Sequence, residues 1–192
     1  YYKEKNKKKS SNIKKILIIG GSQGAKFFDN NITELILKIS KNLDVEVTQQ
    51  VYNKHEKYII EKKYKNLGIK FNLFDFKEEL FKNQNDYDIA LTRSGASAIA
   101  ELAFFNIPFI AIPFPFAKDN HQYFNAKFYE NKEACWLVNQ DNFDISYIAN
   151  FLIQLFDEKN EYLKKRQNLS NITNQNTWNN VNKKLLELFD ES

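Results

Sequence analysis

The sequence contains a single cysteine, Cys135, so no disulfide bond can form within the chain. It contains no apolar run that approaches the roughly 20 residues needed to span a bilayer. Its first 15 residues also lack the apolar stretch of a signal peptide. These absences predict an intracellular protein in which Cys135 is a small buried hydrophobic residue rather than a reactive thiol.

The net charge of +4 is spread unevenly, because seven lysines lie within the first 15 residues. Such a polar segment buries little apolar surface on folding. We therefore expect residues 1–14 to form a linker or tail and residues 15–192 to form the folded domain. Attraction of the lysines to anionic lipid or nucleic acid is the alternative, but no aromatic or amphipathic pattern accompanies them. We expect no nucleic-acid partner.

Short apolar segments alternate with amphipathic segments along the chain. The apolar segments predict six strands, at residues 16–19, 44–51, 69–74, 87–92, 108–114 and 134–138. The amphipathic segments predict helices at residues 25–40, 55–66, 77–84, 97–106 and 120–132, with only helical patterns in residues 145–189. This alternation predicts an α/β fold: a parallel six-stranded sheet with helices on both faces and further helices at the carboxyl terminus.

Small and polar residues follow three of the predicted strands. They occupy residues 20–25 after the first strand, 93–101 after the fourth and 113–122 after the fifth. Ligands of open α/β sheets bind beyond the carboxyl ends of the strands, where loops lead into helix amino termini. We therefore expect the three segments to form one ligand site.

The first of these segments, GGSQGA, is compatible with two functions. Its glycines allow a sharp strand-to-helix turn, and they also allow the backbone to approach a phosphate, with Ser22 as a hydroxyl donor. It is neither the G-x-G-x-x-G dinucleotide fingerprint nor a phosphate-binding loop that continues into Gly-Lys-Ser/Thr. The structural turn and the phosphate cradle both remain open.

The second segment, RSGASAIAE, places four small residues at a predicted helix start. Small residues there leave the backbone N–H groups accessible to an anion. Glu101, one to two turns further along, is either a surface glutamate or an acceptor of hydrogen bonds from a ribose diol. Arg93 is either an anion ligand or the partner in an internal ion pair.

The third segment carries several polar residues near another predicted helix start, among them Asp119, His121, Gln122 and Asn125. Asp119 is either a ligand contact or simply the N-cap of that helix. His121 is expected to pack or to form a hydrogen bond rather than to act as a catalyst.

The three segments, in this order and at this spacing, resemble the carboxyl-terminal half of the MurG family of bacterial peptidoglycan glycosyltransferases over about residues 16–140. The resemblance implies a Rossmann-like domain, the C-terminal half of a GT-B glycosyltransferase. It implies UDP-N-acetylglucosamine (UDP-GlcNAc) as the donor in cell-wall synthesis, where transfer with inversion converts membrane-bound lipid I to lipid II. It also implies a position at the cytoplasmic face of the cell membrane, and neither a metal nor another cofactor.

The resemblance further implies which residues contact the nucleotide. Ser22 would approach the diphosphate. Phe76 and Lys77 would present backbone groups to uracil, although Lys77 departs from the apolar residue often found there. Residues 96–100 would offer helix amides to phosphate, and Glu101 would hold the ribose hydroxyls.

The same resemblance implies that Gln122, with Asp119 nearby, would form hydrogen bonds with the hydroxyls of GlcNAc. Arg93 keeps a role that is either structural or directed at phosphate. The complete set of implied donor-binding residues is Gly21, Ser22, Gln23, Gly24, Phe76, Lys77, Arg93, Ser94, Gly95, Ala96, Ser97, Ala98, Ile99, Ala100, Glu101, Asp119 and Gln122.

In this family the acceptor site and the catalytic base lie on an amino-terminal domain that no segment of this sequence resembles. We therefore expect no catalytic residue here and expect the donor-binding half alone to be inactive. The missing acceptor domain, which binds lipid I, is the implied partner. Two alternatives stay open: a separate donor-binding subunit of a two-chain glycosyltransferase, and a nucleotide-binding module without transfer activity.

Overall fold

The computed structural model describes residues 13–21, 25–76, 80 and 86–175. Within these residues one sheet contains β1 (Lys14–Ile19), β2 (Val45–Gln50), β3 (Lys70–Phe74), β4 (Ile89–Thr92), β5 (Phe109–Ala111) and β6 (Trp136–Leu137). The helices are α1 (Ala25–Phe27), α2 (Thr33–Ile39), α3 (Lys54–Asn66), α4 (Ala96–Phe104), α5 (His121–Asn131), α6 (Ile145–Glu158) and α7 (Asn160–Gln175). The predicted α/β fold is confirmed.

The strand order brings the loops after β1 and β4 together. The order is β3-β2-β1-β4-β5-β6, and every neighbouring pair is parallel. β1 pairs with both β2 and β4, so that Ile16 lies between Val47 and Ile89. The chain therefore builds the sheet outwards in one direction from β1 and then in the other from β4. The crevice at such a reversal is where open α/β sheets bind ligands.

Apolar side chains cover both faces of the sheet. In β1, Ile16 and Ile18 belong to one core, and Leu17 and Ile19 belong to the other. Helices α2, α3 and α6 pack on the first face, and α4, α5 and α7 pack on the second. Burial on both faces explains why β1 and β4 are continuous apolar runs instead of alternating patterns.

The predicted helix at residues 25–40 contains a turn of π-helix, Phe28–Ile32, between α1 and α2. This turn buries Asp29, which is only 4% exposed. Within the described part of the chain, Oδ1 of Asp29 has no hydrogen-bond partner. Burial, and after it the nearby Glu56 carboxylate, raises the pKa of Asp29 to about 6.

Asp29 is expected to make the stability of the domain depend on pH. The folded state holds the Asp29 proton more tightly than the unfolded chain does, so this group stabilises the fold below pH 3.8 and loses that contribution as the pH rises to about 6. Asp29→Asn carries no titrating group. We expect it to raise the free energy of unfolding by about 1–2 kcal/mol at neutral pH, with no such gain in acid. Urea denaturation at both pH values measures this, and an equal gain at both would contradict it.

Several boundaries differ from the sequence prediction. β5 covers Phe109–Ala111 instead of residues 108–114, because the flanking prolines have no N–H to donate to a neighbouring strand. β1 begins at Lys14, one residue before the predicted start of the domain. The predicted helix at 77–84 lies almost entirely outside the described residues. None of the described helices is both long and apolar enough to cross a membrane.

Cys135 is buried, as the sequence predicts, with an exposure of 1%. Its Sγ donates a weak hydrogen bond to the carbonyl of Ala126 at 3.6 Å. Burial raises the pKa of the Cys135 thiol to about 12, so the thiolate that reactive cysteines need is scarce at neutral pH.

Candidate functional site

The glycine loop, residues 20–25, follows the carboxyl end of β1, and its Gly21 lies near Arg93 in the loop that follows β4. Gly21 has a φ of +65°, in the left-handed region that glycine tolerates. A Cβ on Gly21 would lie 4.0 Å from Cγ of Arg93, so the two loops are in contact range. Ser22, Gln23 and Gly24 lie outside the described residues, and their diphosphate contact stays a prediction.

Gln50, the last residue of β2, links the glycine loop to the end of β3. Its Oε1 accepts a hydrogen bond from the N–H of Gly21 at 3.1 Å. Its Nε2 donates to the Tyr52 hydroxyl at 2.7 Å and to the Asp75 carbonyl at 3.2 Å. The sequence prediction missed this residue. The sequence did contain an indication of its role, because Gln50 is a polar residue at the carboxyl end of a predicted strand, and the site was expected at that edge of the sheet.

Phe76 follows Asp75 at this edge, and its side chain is 77% exposed. An aromatic ring so exposed is available for contact with a planar ligand. Lys77, the second residue predicted at the uracil base, lies outside the described residues.

The amino terminus of α4 is open. Gly95 is its N-cap, and no side chain of the described residues caps the helix. A Cβ on Gly95 would meet no atom within 4 Å. The amides of Ala96, Ser97 and Ala98, in the first turn, therefore lie at an unobstructed helix end, where the positive end of the dipole favours an anion.

The predicted phosphate-binding amides are those of residues 96–100, and this range extends too far into α4. The N–H of Ile99 donates to the carbonyl of Gly95 at 3.2 Å, and the Ile99 side chain is buried in the core. Ala100 lies one residue deeper in α4, beyond the first turn, where amides bond within the helix. The prediction is therefore wrong for these two amides, and residues 96–98 remain.

Glu101 lies on the exposed face of α4. It follows Ser97 by four residues, so both side chains project from the same face of the helix, one turn apart. None of the hydrogen bonds or ion pairs found in the described part of the chain involves the Glu101 carboxylate. The carboxylate is therefore available to a ligand that binds beside the helix terminus.

Arg93 lies inside the fold, with an exposure of 3%. Its guanidinium donates to the carbonyls of Ile112 and Pro113 and to Oε1 of Gln140, at 3.1, 2.9 and 2.6 Å. Burial lowers its pKa to about 10, so it stays positively charged at neutral pH. These inward contacts favour the structural role of Arg93 over the phosphate-directed one.

The loops after β5 and β6, which Arg93 joins, line a pocket of about 490 Å³ beside the start of α5. Its volume falls within the range of about 300–1,000 Å³ that is usual for small-molecule sites. The lining residues are mostly polar: Pro113, Phe114, Pro115, Asn120, Tyr123, Asn139, Gln140, Asp141 and Asn142.

The loop that leads into α5 has an unusual backbone. Asp119 and Asn120 both have a φ of 52°, in the left-handed region. Asn120, not Asp119, is the N-cap residue of α5, and its side chain makes no capping bond, so the N-cap interpretation of Asp119 is wrong. Nδ1 of His121 donates to the carbonyl of Lys118 at 2.7 Å, which confirms its predicted hydrogen-bonding role.

The first two turns of α5 form hydrogen bonds with both neighbouring loops. Oε1 of Gln122 accepts a hydrogen bond from the N–H of Phe114, in the β5 loop, at 3.0 Å. Nδ2 of Asn125 donates to the carbonyl of Ser94, in the β4 loop, at 3.0 Å. The Ser94 side chain is fully buried, and its hydroxyl has no hydrogen-bond partner among the described residues.

The sequence contains one pair of aspartates in an Asp-x-Asp arrangement, Asp86 and Asp88. Asp88 Oδ2 accepts a hydrogen bond from the N–H of Lys15, at the start of β1, at 2.8 Å. The pair therefore lies at the amino edge of the sheet, opposite the site. Among the described residues, no group of three His, Cys, Asp or Glu side chains is placed to hold a metal ion.

Comparison with known sequences finds a family match over most of the chain. The model of the family described as glycosyltransferase family 28 C-terminal domain matches residues 15–185. A relative from Pelagibacter ubique (strain HTCC1062) is 39% identical over 192 residues, which is 100% of this chain and 54% of that protein. A relative from Rickettsia typhi is 34% identical over 169 residues, 86% of this chain and 44% of that protein. The chain thus spans about half the length of these curated relatives.

Both relatives are named UDP-N-acetylglucosamine--N-acetylmuramyl-(pentapeptide) pyrophosphoryl-undecaprenol N-acetylglucosamine transferase. Among solved structures, Acinetobacter baumannii MurG is similar with a TM-score of 0.68 at 20% identity, over 86% of this chain and 50% of that one. The CMP-Kdo binding domain of WaaA from the same species is similar with a TM-score of 0.57 at 11% identity, over 84% of this chain and 90% of that one. At these identities the structural matches show a shared fold.

Proposed function

Because the chain belongs to the glycosyltransferase family 28 C-terminal domain family, we propose that it is the donor-binding half of an inverting N-acetylglucosaminyltransferase. The proposed reaction of the complete enzyme transfers GlcNAc from UDP-GlcNAc to lipid I and yields lipid II in peptidoglycan synthesis. The names of the relatives support this reaction. The observation that carries the proposal is that Gly21 after β1 and the loop after β5 both lie against the loop after β4, which leads into the open terminus of α4.

The nucleotide half of the donor would lie across the crevice between β1 and β4. The diphosphate would meet the glycine loop and the amides of residues 96–98, where the helix dipole favours negative charge. Glu101, one helical turn away, would accept hydrogen bonds from the ribose diol. The distance from the helix terminus to Glu101 suits a ribose, which separates its 5′-phosphate from its 2′ and 3′ hydroxyls by a similar length. Uracil would reach Phe76 and Lys77 beyond β3.

The GlcNAc group would lie at the start of α5, near Asp119 and Gln122. The two consecutive left-handed residues in this loop support the assignment, because backbone strain of this kind concentrates where a loop is shaped for a ligand. Asn and Asp tolerate the left-handed region better than most residues, which lowers the cost of that shape.

In the proposed reaction, a hydroxyl oxygen of lipid I attacks the anomeric carbon of GlcNAc from the face opposite UDP. The bond between that carbon and the phosphate oxygen breaks, its electron pair leaves with UDP, and the hydroxyl proton passes to a base on the other half of the enzyme. Negative charge grows on the diphosphate, and the α4 amides would stabilise it. We propose that the other half also holds lipid I at the cytoplasmic face of the membrane.

Uridine nucleotides are expected to bind this chain in preference to adenine nucleotides. The backbone groups near Phe76 would match the edge of uracil, so we expect the Kd for UDP to be at least about tenfold lower than that for ADP. Isothermal titration calorimetry measures both values, and uridine serves as the control ligand that lacks the diphosphate. Equal affinity for UDP and ADP would refute the uracil assignment.

A further inference from the structure

Arg93 holds together two loops that are distant in the sequence. Its Nη1 donates to the carbonyls of Ile112 and Pro113, and its Nη2 donates to Oε1 of Gln140, 47 residues away. A planar guanidinium fixes the direction of its acceptors as well as their distance, which a single ammonium group does not. The carbonyl of Pro113 is thereby held in one orientation.

The peptide group between Pro113 and Phe114 transmits this orientation to Gln122. The carbonyl oxygen and the N–H of a trans peptide lie in one plane and point in opposite directions. Since Arg93 holds the Pro113 carbonyl on one side, the Phe114 N–H points away from Arg93, where it donates to Oε1 of Gln122 at 3.0 Å. The Phe114 N–H thus fixes the direction of the Gln122 carboxamide oxygen, and with it the direction in which the NH2 group of Gln122 can donate to a ligand.

We propose that Arg93 is a positioning residue for the donor sugar. It orients the Gln122 carboxamide through one peptide group, so that the Gln122 NH2 group donates hydrogen bonds to the sugar. The ligand atoms that suit this arrangement are oxygens, either of a hydroxyl or of an acetamido carbonyl. This inference rests on the proposed function, because it takes Gln122 as a contact of the sugar.

Two other roles are possible for Arg93: binding of the diphosphate, and stabilisation of the fold alone. Both lead to different observations. A guanidinium that bound the diphosphate would be open to solvent before the ligand binds, whereas Arg93 is 3% exposed and lies 5.0–5.4 Å from the ring centroids of three phenylalanines. A side chain that served stability alone would affect the binding of UDP and UDP-GlcNAc equally. A positioning residue for the sugar affects UDP-GlcNAc more than UDP.

The test is solution NMR of the 192-residue chain, unmodified and as Arg93→Lys, titrated with UDP and with UDP-GlcNAc. Lysine keeps the charge, but its single nitrogen cannot hold the Pro113 carbonyl and Gln140 in the same geometry. We expect the Phe114 amide to exchange with solvent at least about tenfold faster in the variant. We expect the affinity for UDP-GlcNAc to fall about fivefold and that for UDP to change by less than about twofold.

A second variant avoids any effect of Arg93→Lys on folding. Gln140 lies in a surface turn, and Gln140→Ala removes one of the acceptors of Arg93. It is expected to change the same signals in the same direction, by a smaller amount. Asn150→Ala, an exposed carboxamide on α6, is the matched control and is expected to leave both affinities unchanged.

Three outcomes decide the proposal. In the unmodified chain, the Gln122 side-chain NH2 signals are expected to shift with UDP-GlcNAc and not with UDP. Equal losses of affinity for the two nucleotides in both variants, or unchanged protection of the Phe114 amide, would overturn the positioning role. Absence of binding by either nucleotide to the unmodified chain would overturn the proposed function instead, and the sugar contact with it.

Discussion

Replacement of Glu101 by alanine is expected to weaken UDP binding by roughly ten- to hundredfold. The exposed carboxylate would accept hydrogen bonds from both ribose hydroxyls, and charge-assisted bonds contribute at most about 1.5–3 kcal/mol each, less what water restores. Alanine is a good helix former, so α4 itself stays intact. Calorimetric titration measures the affinity, and thermal unfolding checks that the fold is unchanged.

Two controls separate the ribose contact from a general effect of the substitution. The ligand 2′,3′-dideoxy-UDP lacks both hydroxyls, so Glu101→Ala and the unmodified chain are expected to bind it equally well. Glu158→Ala removes an exposed glutamate from the end of α6, where Phe156 lies beside Lys14 at the opposite edge of the sheet. It is expected to leave UDP binding unchanged. If Glu101→Ala weakened UDP and its dideoxy analogue alike, the ribose assignment would be wrong.

Replacement of Leu152 by alanine is expected to lower the free energy of unfolding by about 2–5 kcal/mol. Leu152 is fully buried in α6 and belongs to the core that α2 and α3 also form against the sheet. Its truncation removes buried apolar surface and leaves a cavity that rigid neighbours on both sides fill only in part. Urea denaturation followed by circular dichroism measures the change.

Leu163→Ala is the matched control for this prediction. Leu163 lies in the neighbouring helix α7, but it is 56% exposed. The same chemical change there is expected to alter stability by less than about 0.5 kcal/mol. Similar losses for the two variants would mean that Leu152 does not lie in the core beneath α6.

The strands and most helices could be predicted because their signals are local. β4 is an apolar run. The start of α3 is marked by Asn53, whose side chain accepts hydrogen bonds from two helix amides, and its end is marked by Gly68, whose φ is +66°. Short-range sterics and capping decide such features. The edge at which the site lies could also be predicted, because parallel strands joined by helices bring all their carboxyl ends together.

The direction of individual side chains could not be predicted, because it depends on partners far along the chain. Arg93 turns inward toward Gln140, and Gln50 reaches the glycine loop and the end of β3. The Asp29 carboxyl is buried by a π-turn whose neighbours come from other elements. The small residues at the start of α4 could be predicted from the sequence. The number of free amides could not, because it depends on the observed hydrogen bond from the N–H of Ile99 to the carbonyl of Gly95, which leaves three amides before it.

Helices α6 and α7 complete the two cores, and this has a consequence for synthesis on the ribosome. α6 supplies Ile148 and Leu152 to one face of the sheet, and α7 supplies Leu169 and Ile172 to the other. All six strands therefore leave the exit tunnel while each face still lacks one of its covering helices. Exposed apolar surface on a nascent chain invites aggregation and engages chaperones. We infer that the two cores are completed only after residue 172 has left the tunnel.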